Sequence, residues 1–172
     1  SGNIFYFTAN NYASTPGTGS YTNNVELWMS DGTDAGTVMV KDIEAGNTGS
    51  YPKDFTLING ILYFTARTQA SGRELWRSDG TNGGTFMVKE IINGAVGGFE
   101  TAGQYGYYDL GFGVVWQPGN DFFFSANNYA SVPGGGSYTN NQELWKSDGS
   151  AAGTMMVKDI QPGNDGSDPL DF

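Results

Sequence analysis

Two residue types that often carry chemistry are missing: the 172-residue sequence contains no cysteine and no histidine. A disulfide framework and a thiolate metal site are therefore excluded, and so are the usual general base and the commonest transition-metal ligand. Basic residues are few, with eight Lys and Arg against 18 Asp and Glu and a formal net charge of −10. This balance argues against nucleic acid or an anionic membrane surface as a partner.

Long apolar runs are absent as well. No run approaches the roughly 20 residues of a membrane span, so membrane insertion is not expected. The first residues, SGNIFYF, lack the regions of a signal peptide, and if the protein is secreted, its signal has been removed. Glycine is abundant, with 27 residues beside 38% hydrophobic content. This composition favours an all-β fold of short strands and turns.

One motif occurs three times: Glu-Leu-Trp, a variable residue and Ser-Asp-Gly, at residues 26–32, 74–80 and 143–149. Each copy leads into Gly-Thr-x-Met-Val-Lys, and an aromatic segment precedes each copy. The chain therefore reads as a single repeat array over 1–172, with units at about 3–60, 61–120 and 121–172, the third incomplete. Four short antiparallel strands in each unit predict β-propeller-like blades. Three blades are fewer than the usual four to eight or so, which suggests part of a larger ring or array.

The Trp and Met-Val-Lys segments predict a hairpin around each Ser-Asp-Gly turn. The register we predict for the first copy gives these cross-strand pairs: Ser30 with Thr37, Trp28 with Met39, Leu27 with Val40, and Glu26 with Lys41. The same rule pairs Glu74 with Lys89 and Glu143 with Lys158. Opposite charges would then face each other in every copy, as a structural ion pair.

The turns carry an aspartate in every copy, at Asp31, Asp79 and Asp148. An aspartate can accept hydrogen bonds from its own turn, so we predict a structural role for these residues rather than a metal-binding one. The repeated tryptophans Trp28, Trp76 and Trp145 are predicted to pack between units, with a sugar-stacking platform as the alternative.

The segments ELWMSDGTDAGTVMVKDIEAG, ELWRSDGTNGGTFMVKEIING and ELWKSDGSAAGTMMVKDIQPG resemble the bacterial ELWxxDGT repeat family. This resemblance covers nearly the whole chain. It implies a secreted or cell-surface bacterial protein with a propeller-like β architecture, and it implies no particular activity. The turns also resemble the Asp-box hairpins of sialidase-type propellers. Ser150 departs from the motif's Thr, and the stretch 93–112 is an addition.

Two nearly identical inserts, at 10–24 and 127–141, interrupt the first and third units. Their tyrosines and asparagines suit either ligand recognition or subunit contact. The candidate ligand-binding residues are Tyr12, Tyr21, Tyr129, Tyr138, Asn24 and Asn141. A separate segment, NDGSD at 164–168, gathers side-chain oxygens around a glycine, so Asn164, Asp165 and Asp168 are candidate calcium ligands. No cofactor is expected otherwise, and calcium is the one candidate.

Catalysis without His or Cys would need a carboxylate pair or an activated Ser, Lys or Tyr. The repeated acids stand near lysines, which favours a structural role, so no enzymatic activity is expected. The leading hypothesis is a noncatalytic extracellular structural or adhesive repeat protein that self-assembles into a fibre, coat or adhesin. The alternative is a glycan-binding module that uses the inserts on cell-surface or matrix glycans.

Overall fold

The computed structural model describes residues 4–10, 24–46, 48–94, 97, 100–101, 108–109, 114–116, 121–128, 142–163 and 166–169. The expected all-β fold is confirmed, because these residues form thirteen strands and no helix. The strands are β1 (Phe5–Asn10), β2 (Val25–Ser30), β3 (Val38–Lys41), β4 (Lys53–Ile58), β5 (Ile61–Thr68), β6 (Gly72–Ser78), β7 (Phe86–Lys89), β8 (Glu100–Thr101), β9 (Tyr108–Asp109), β10 (Val114–Trp116), β11 (Phe122–Asn127), β12 (Gln142–Ser147) and β13 (Met155–Lys158).

Neighbouring strands in the chain pair antiparallel into three main sheets. The first sheet is β1-β2-β3, the second is β4-β5-β6-β7, and the third is β10-β11-β12-β13, while β8 and β9 form a separate pair. Among the described residues, two of the main sheets therefore have four strands and one has three. Such simple connections suit short strands separated by turns.

The sheets are offset from the sequence repeat. Strand β4 precedes residue 60, yet it pairs with β5, and β10 pairs with β11 in the same way. The turn between β4 and β5 consists of Asn59 with φ 50° and Gly60 with φ 81°. Positive φ at both central residues is the hairpin turn whose twist matches that of the flanking strands. Each of these sheets thus begins with a strand that closes the preceding sequence unit.

Among the described residues, the core lies between sheets, in two apolar clusters. At the first junction, Leu27 and Val40 of the first sheet pack with four residues of the second sheet: Leu62, Phe64, Ala66 and Trp76. At the second junction, residues of the second and third sheets form the equivalent cluster: Ile58, Tyr63, Leu75, Val88, Phe122, Phe124, Ala126 and Trp145. The three sheets are therefore stacked face to face, with the second sheet covered on both sides.

This arrangement explains the composition of β5. Leu62, Tyr63, Phe64, Thr65 and Ala66 are all buried, because alternate side chains enter the first and second junctions. A strand that is buried on both faces reads as a near-continuous apolar run rather than as an alternation. The ring of Tyr63 lies 4.5 Å from that of Phe122, centroid to centroid, across the second junction.

The predicted hairpin register is right at the tryptophan and wrong beyond it. Trp28 pairs with Met39 as predicted, but a β-bulge between Leu27 and Trp28 places Leu27 opposite Lys41. Val40 is the extra residue of this bulge, which is why every later residue of β3 moves by one position. The predicted pairings of Leu27 with Val40 and of Glu26 with Lys41 are therefore wrong.

The same bulge recurs in the other hairpins. Leu75 lies opposite Lys89, and Leu144 lies opposite Lys158. The predicted cross-strand pairs of Glu74 with Lys89 and of Glu143 with Lys158 are wrong for the same reason. The charged residues of the motif must then have other partners.

Candidate functional site

The motif glutamate holds the loop that follows its hairpin. Glu26 has no exposed surface, and its carboxylate accepts backbone N–H bonds from Ile43 at 3.0 Å, Glu44 at 3.4 Å and Ser50 at 2.9 Å. The Ser50 hydroxyl donates a further bond of 2.5 Å. One buried side chain on β2 thus fixes both ends of the loop between β3 and β4. We call this arrangement the glutamate clamp.

The clamp recurs at the same relative positions. Glu74 accepts N–H bonds from Ile91 at 3.0 Å and Ile92 at 3.1 Å. Glu143 accepts bonds from the Ile160, Gln161 and Ser167 amides at 2.9, 3.3 and 3.2 Å, and from the Ser167 hydroxyl at 2.7 Å. All three glutamates are fully buried. Each buried carboxylate is thus satisfied by donors of the loop that follows its hairpin.

The clamps differ in their proton affinity. Burial raises the pKa of Glu26, although the donors from Ser50, Ile43 and Glu44 act in the opposite direction. At Glu143 burial also acts to raise the pKa, but the donors led by the Ser167 hydroxyl outweigh it and the pKa is lowered. The direction of the pKa shift thus depends on whether burial or hydrogen bonding has the larger effect.

The motif lysines reach across the junctions instead of pairing with the glutamates. Lys41 Nζ donates to the Asn82 carbonyl at 3.3 Å, and Lys89 Nζ donates to the Thr154 carbonyl at 2.7 Å. Both acceptors lie in the hairpin turn of the next sheet. The equivalent residue of the third sheet, Lys158, is exposed. The lysine is therefore an inter-sheet contact.

The aspartate of each turn accepts bonds from within that turn. Asp31 Oδ1 accepts the Thr33 N–H at 2.9 Å and the Thr33 hydroxyl at 2.7 Å, and Thr33 Oγ1 in turn accepts the Gly36 N–H at 3.0 Å. The turns at Asp79 and Asp148 repeat this network. Ser150 keeps the hydroxyl of the threonine that it replaces.

The geometry of this turn also explains its second glycine. A methyl group at Gly36, Gly84 or Gly153 would overlap the carboxylate of the aspartate in its own turn. The hydroxyl bond from Thr33, Thr81 or Ser150 is the largest of the effects that lower the pKa of the three aspartates. We call this network the aspartate turn. The prediction that these aspartates serve the turn matches the bonds that the structure gives them.

A pair of hydroxyls closes each hairpin below the turn. Ser30 Oγ and Thr37 Oγ1 are 2.7 Å apart, and the same distance separates Ser78 from Thr85 and Ser147 from Thr154. The serine hydroxyl also accepts the N–H of the glycine after the aspartate, at 3.0 Å in each copy. The predicted pairing of Ser30 with Thr37 is confirmed by this contact, whereas the bond from the glycine N–H to the serine hydroxyl was not predicted.

Two of the three motif tryptophans lie at the junctions, and Trp28, which was also predicted to pack between units, does not. Trp76 and Trp145 are 7% and 8% exposed and belong to the first and second clusters, respectively. Trp145 Nε1 donates to the Ala126 carbonyl at 3.1 Å. Trp28 is only half-buried, with its ring 6.4 Å from that of Phe7. Within the described ranges, no second sheet packs against that face of the first sheet.

Most of the predicted ligand-binding residues lie outside the described residues: Tyr12, Tyr21, Tyr129, Tyr138 and Asn141. Asn24 is described and is 5% exposed, and its Nδ2 donates to the Gly46 carbonyl at 3.0 Å. It therefore anchors the loop after β3 rather than facing solvent. The role of the inserts in binding stays a prediction.

Of the candidate calcium ligands, Asn164 and Asp165 also lie outside the described residues, whereas Asp168 is described. Asp168 has a φ of 45°, and its amide donates to the Gln142 carbonyl at 3.2 Å. The equivalent residue Tyr51 has a φ of 47° and donates to the Val25 carbonyl at 3.0 Å. The backbone role is thus shared with a residue that has no carboxylate. In the described part of the chain, no group of three or more acidic residues could hold a metal ion.

Equivalent apolar residues differ in exposure according to the sheet that carries them. Val40 and Val88 are 5% and 4% exposed, whereas the equivalent Val157 of the third sheet is 46% exposed. At the opposite end, Phe5 is 54% exposed, while its equivalents Leu62 and Phe122 are buried. The outer faces of the first and third sheets are therefore exposed apolar surfaces.

Neither a family model nor a curated protein nor a solved structure matches this chain. The resemblance to ELWxxDGT repeats consequently depends on the three sequence segments alone. None of the described residues belongs to a helix that is long and apolar enough to cross a membrane.

Proposed function

We propose that this protein is a noncatalytic structural or adhesive β-repeat protein that acts outside the cell and assembles with further copies of itself. The observation that carries the proposal is the repetition of one junction type. Equivalent apolar residues join the first sheet to the second and the second sheet to the third. The equivalent lysines Lys41 and Lys89 each donate to a carbonyl in the turn of the next sheet, although at different positions of that turn, Asn82 and Thr154. Repeat proteins are extended by such nearest-neighbour interfaces.

The motif's charged side chains support the noncatalytic part of this proposal. The glutamates bind loop amides, the aspartates bind their own turns, and two of the lysines bind the next sheet. A catalytic carboxylate pair would instead be directed at a shared cleft. We further propose that the sheets are propeller-like blades, because they are small antiparallel sheets that stack face to face.

The extracellular location is proposed from the sequence segments that resemble ELWxxDGT repeats. Fibre, coat and adhesin are the forms of assembly that suit a stack with one repeating junction. Calcium is a candidate ligand of segment 164–168, and self-association is the primary interaction that we propose.

Light scattering across a concentration series, followed by negative-stain electron microscopy, tests this function. We expect the mass to rise above that of one chain and filaments, rings or sheets to appear. A chain that stays monomeric at every concentration and binds a glycan on a printed array would contradict the proposal and favour the alternative. In that event, Tyr12→Ala with Tyr129→Ala should abolish the glycan signal, because both inserts would lose a ring.

A further inference from the structure

The outer side of the third sheet, which we call the back face, is the counterpart of surfaces that the inner junctions bury. It includes Val157 and Ile160, which are 46% and 49% exposed. Their equivalents in the first sheet are Val40, which is 5% exposed, and Ile43, which packs against the first cluster. Val88 and Ile91 occupy the corresponding positions at the second junction.

The outer side of the first sheet, which we call the front face, is equivalent to the surface that the second sheet contributes to the first junction and that the third sheet contributes to the second junction. It includes Phe5, Phe7 and Trp28. Phe5 is 54% exposed, whereas Leu62 is 3% exposed and Phe122 is fully buried. Phe7 and Trp28 are half-buried, whereas Phe64, Phe124, Trp76 and Trp145 are buried.

The turn of the first sheet is uncovered as well. Thr37 is exposed, although Thr85 and Thr154 have no exposed surface at all. The Thr154 carbonyl accepts the bond from Lys89 of the preceding sheet, and Asn82 accepts the bond from Lys41. The 31–37 turn thus contains the positions equivalent to Asn82 and Thr154, whose carbonyls accept lysine bonds at the inner junctions. At the other end of the stack, Lys158 is exposed.

We infer that the back face of one copy of this chain docks on the front face of a second copy, in the geometry of the inner junctions. Val157 and Ile160 then pack against Phe5, Phe7 and Trp28 of the second copy, and Lys158 binds its 31–37 turn. This inference rests on the proposed function and names the surfaces through which the chains assemble. The two faces fit each other because each has already been matched, in equivalent form, inside the chain.

The contact between copies is heterologous, since it joins two different faces. Repetition of such a contact closes a ring if the rotation per copy closes and builds an open filament if it does not. Two differences from the inner junctions are visible. Among the described residues, the first sheet has three strands, whereas the second and third sheets have four. The Tyr6 and Tyr63 hydroxyls approach Gly80 and Gly149, whereas the equivalent residue of the third sheet is Phe123. The contact between copies therefore depends more on Lys158 for its polar part.

A charge placed in the back face tests the contact. Val157→Asp would bury a carboxylate against aromatic rings, so we expect association to weaken by about a hundredfold or more. Met155→Asp is the matched control, because Met155 is also exposed and lies on the same strand. Its equivalents Val38 and Phe86 stay 39% and 44% exposed at the inner junctions, so this variant should associate like the unaltered chain.

The absence of cysteine permits a direct test of orientation. Chains with Asp34→Cys, labelled with ¹⁵N, are mixed with unlabelled chains carrying Lys158→Cys, and a short bismaleimide is added. Asp34 is the first-sheet equivalent of Asn82, so we expect dimers that contain one chain of each label. The control is Lys41→Cys with Asn82→Cys in one chain, where Nζ and the carbonyl oxygen are 3.3 Å apart in the unaltered protein and an intramolecular link should form.

The outcomes separate this contact from the proposed function. Mixed-label dimers together with loss of association in Val157→Asp support the head-to-tail contact. If the chains gain mass but give only same-label links, or if Val157→Asp associates as well as Met155→Asp, this contact is wrong while self-assembly stands. If the unaltered chain stays monomeric at every concentration, both the contact and the proposed self-assembly fail.

Discussion

Each copy of the motif contributes two carboxylates that accept hydrogen bonds, and they differ in burial and in the length of chain that they hold. The glutamate clamp is fully buried and binds a loop that follows the next strand of its hairpin, as Glu26 binds the amides of Ile43 and Ser50. The aspartate turn lies at the exposed tip of the hairpin and is closed within a few residues, as Asp31 binds Thr33. One carboxylate organises tertiary structure, and the other organises a single turn.

The two carboxylates differ in whether water can replace them as hydrogen-bond acceptors. If the aspartate is lost, water can bind the exposed amides of the turn, so the free-energy cost is small. If the glutamate is lost, the buried amides have no water to bind, and each unsatisfied donor costs about 1–3 kcal/mol. Similar hydrogen bonds thus contribute differently to the free energy of unfolding, because water can reach the donors of the aspartate turn but not those of the glutamate clamp.

The largest expected effect is that of Glu74→Ala in the second sheet. This change leaves the buried amide of Ile92 and the partly buried amide of Ile91 without their acceptor. We expect a loss of about 3–5 kcal/mol in the free energy of unfolding. Urea denaturation monitored by tryptophan fluorescence measures it. Asp79→Ala in the same unit is the comparison, and its loss should be clearly smaller. Equal losses would show that burial does not separate the two carboxylates.

A smaller effect tests whether the aspartate turn is independent of its surroundings. Gly32 and Gly149 have nearly the same φ, at 89° and 85°, but a methyl group at Gly149 would overlap the Tyr63 hydroxyl, whereas Gly32 has open space. Gly149→Ala should therefore cost about 1–3 kcal/mol more than Gly32→Ala. Denaturation at a concentration where the chains are monomeric measures the difference. In a Tyr63→Phe background the difference should shrink, and a difference that persists would point away from this contact.

The smallest effect is the pH dependence of stability. The pKa of each turn aspartate is lowered, so the stability that it contributes is present above the usual aspartate pKa and is lost as the pH falls through the folded pKa. The raised pKa of Glu26 has the opposite sign: its contribution is present below the usual glutamate pKa and is lost as the pH rises through the folded value.

Urea midpoints measured from about pH 6 down to about pH 2 should therefore fall toward acid. The fall should be shallower in a variant with Asn at all three turn aspartates, because Asn still caps a turn but does not titrate. If this variant showed the same acid dependence as the unaltered chain, the titration would have to be assigned to other groups.

The sequence was sufficient to predict the all-β class, the hairpin turn and the pairing of Trp28 with Met39, because these depend on local chemistry. The bulge at Val40 was not predictable, since Val-Met-Val reads as regular strand. The error in register then made Glu26 and Lys41 look like partners. The sequence does contain a signal for the true partner of the glutamate. A Gly-Ser pair follows two copies of the motif, so Ser50 lies 24 residues after Glu26, and Ser167 lies 24 residues after Glu143.

The exposed faces could not have been predicted from residue types. Val40, Val88 and Val157 stand in the same motif, and only their places in the stack make two of them buried and one exposed. Burial at a junction is a property of the neighbouring sheet, which no local pattern records. The ligand-binding and calcium candidates stay predictions, because most of them lie outside the described residues.

The sameness of the two junctions has a consequence for how such a chain can change over generations. Loss of the second unit would bring the back of the first sheet, with Leu27 and Val40, against the front of the third sheet, with Phe122, Phe124 and Trp145, and each of these surfaces is already matched by an equivalent one at an inner junction. We therefore expect the number of units to vary by duplication or deletion with few new mutations at the interfaces. Selection can act on the loops of single units while the stacking surfaces stay interchangeable.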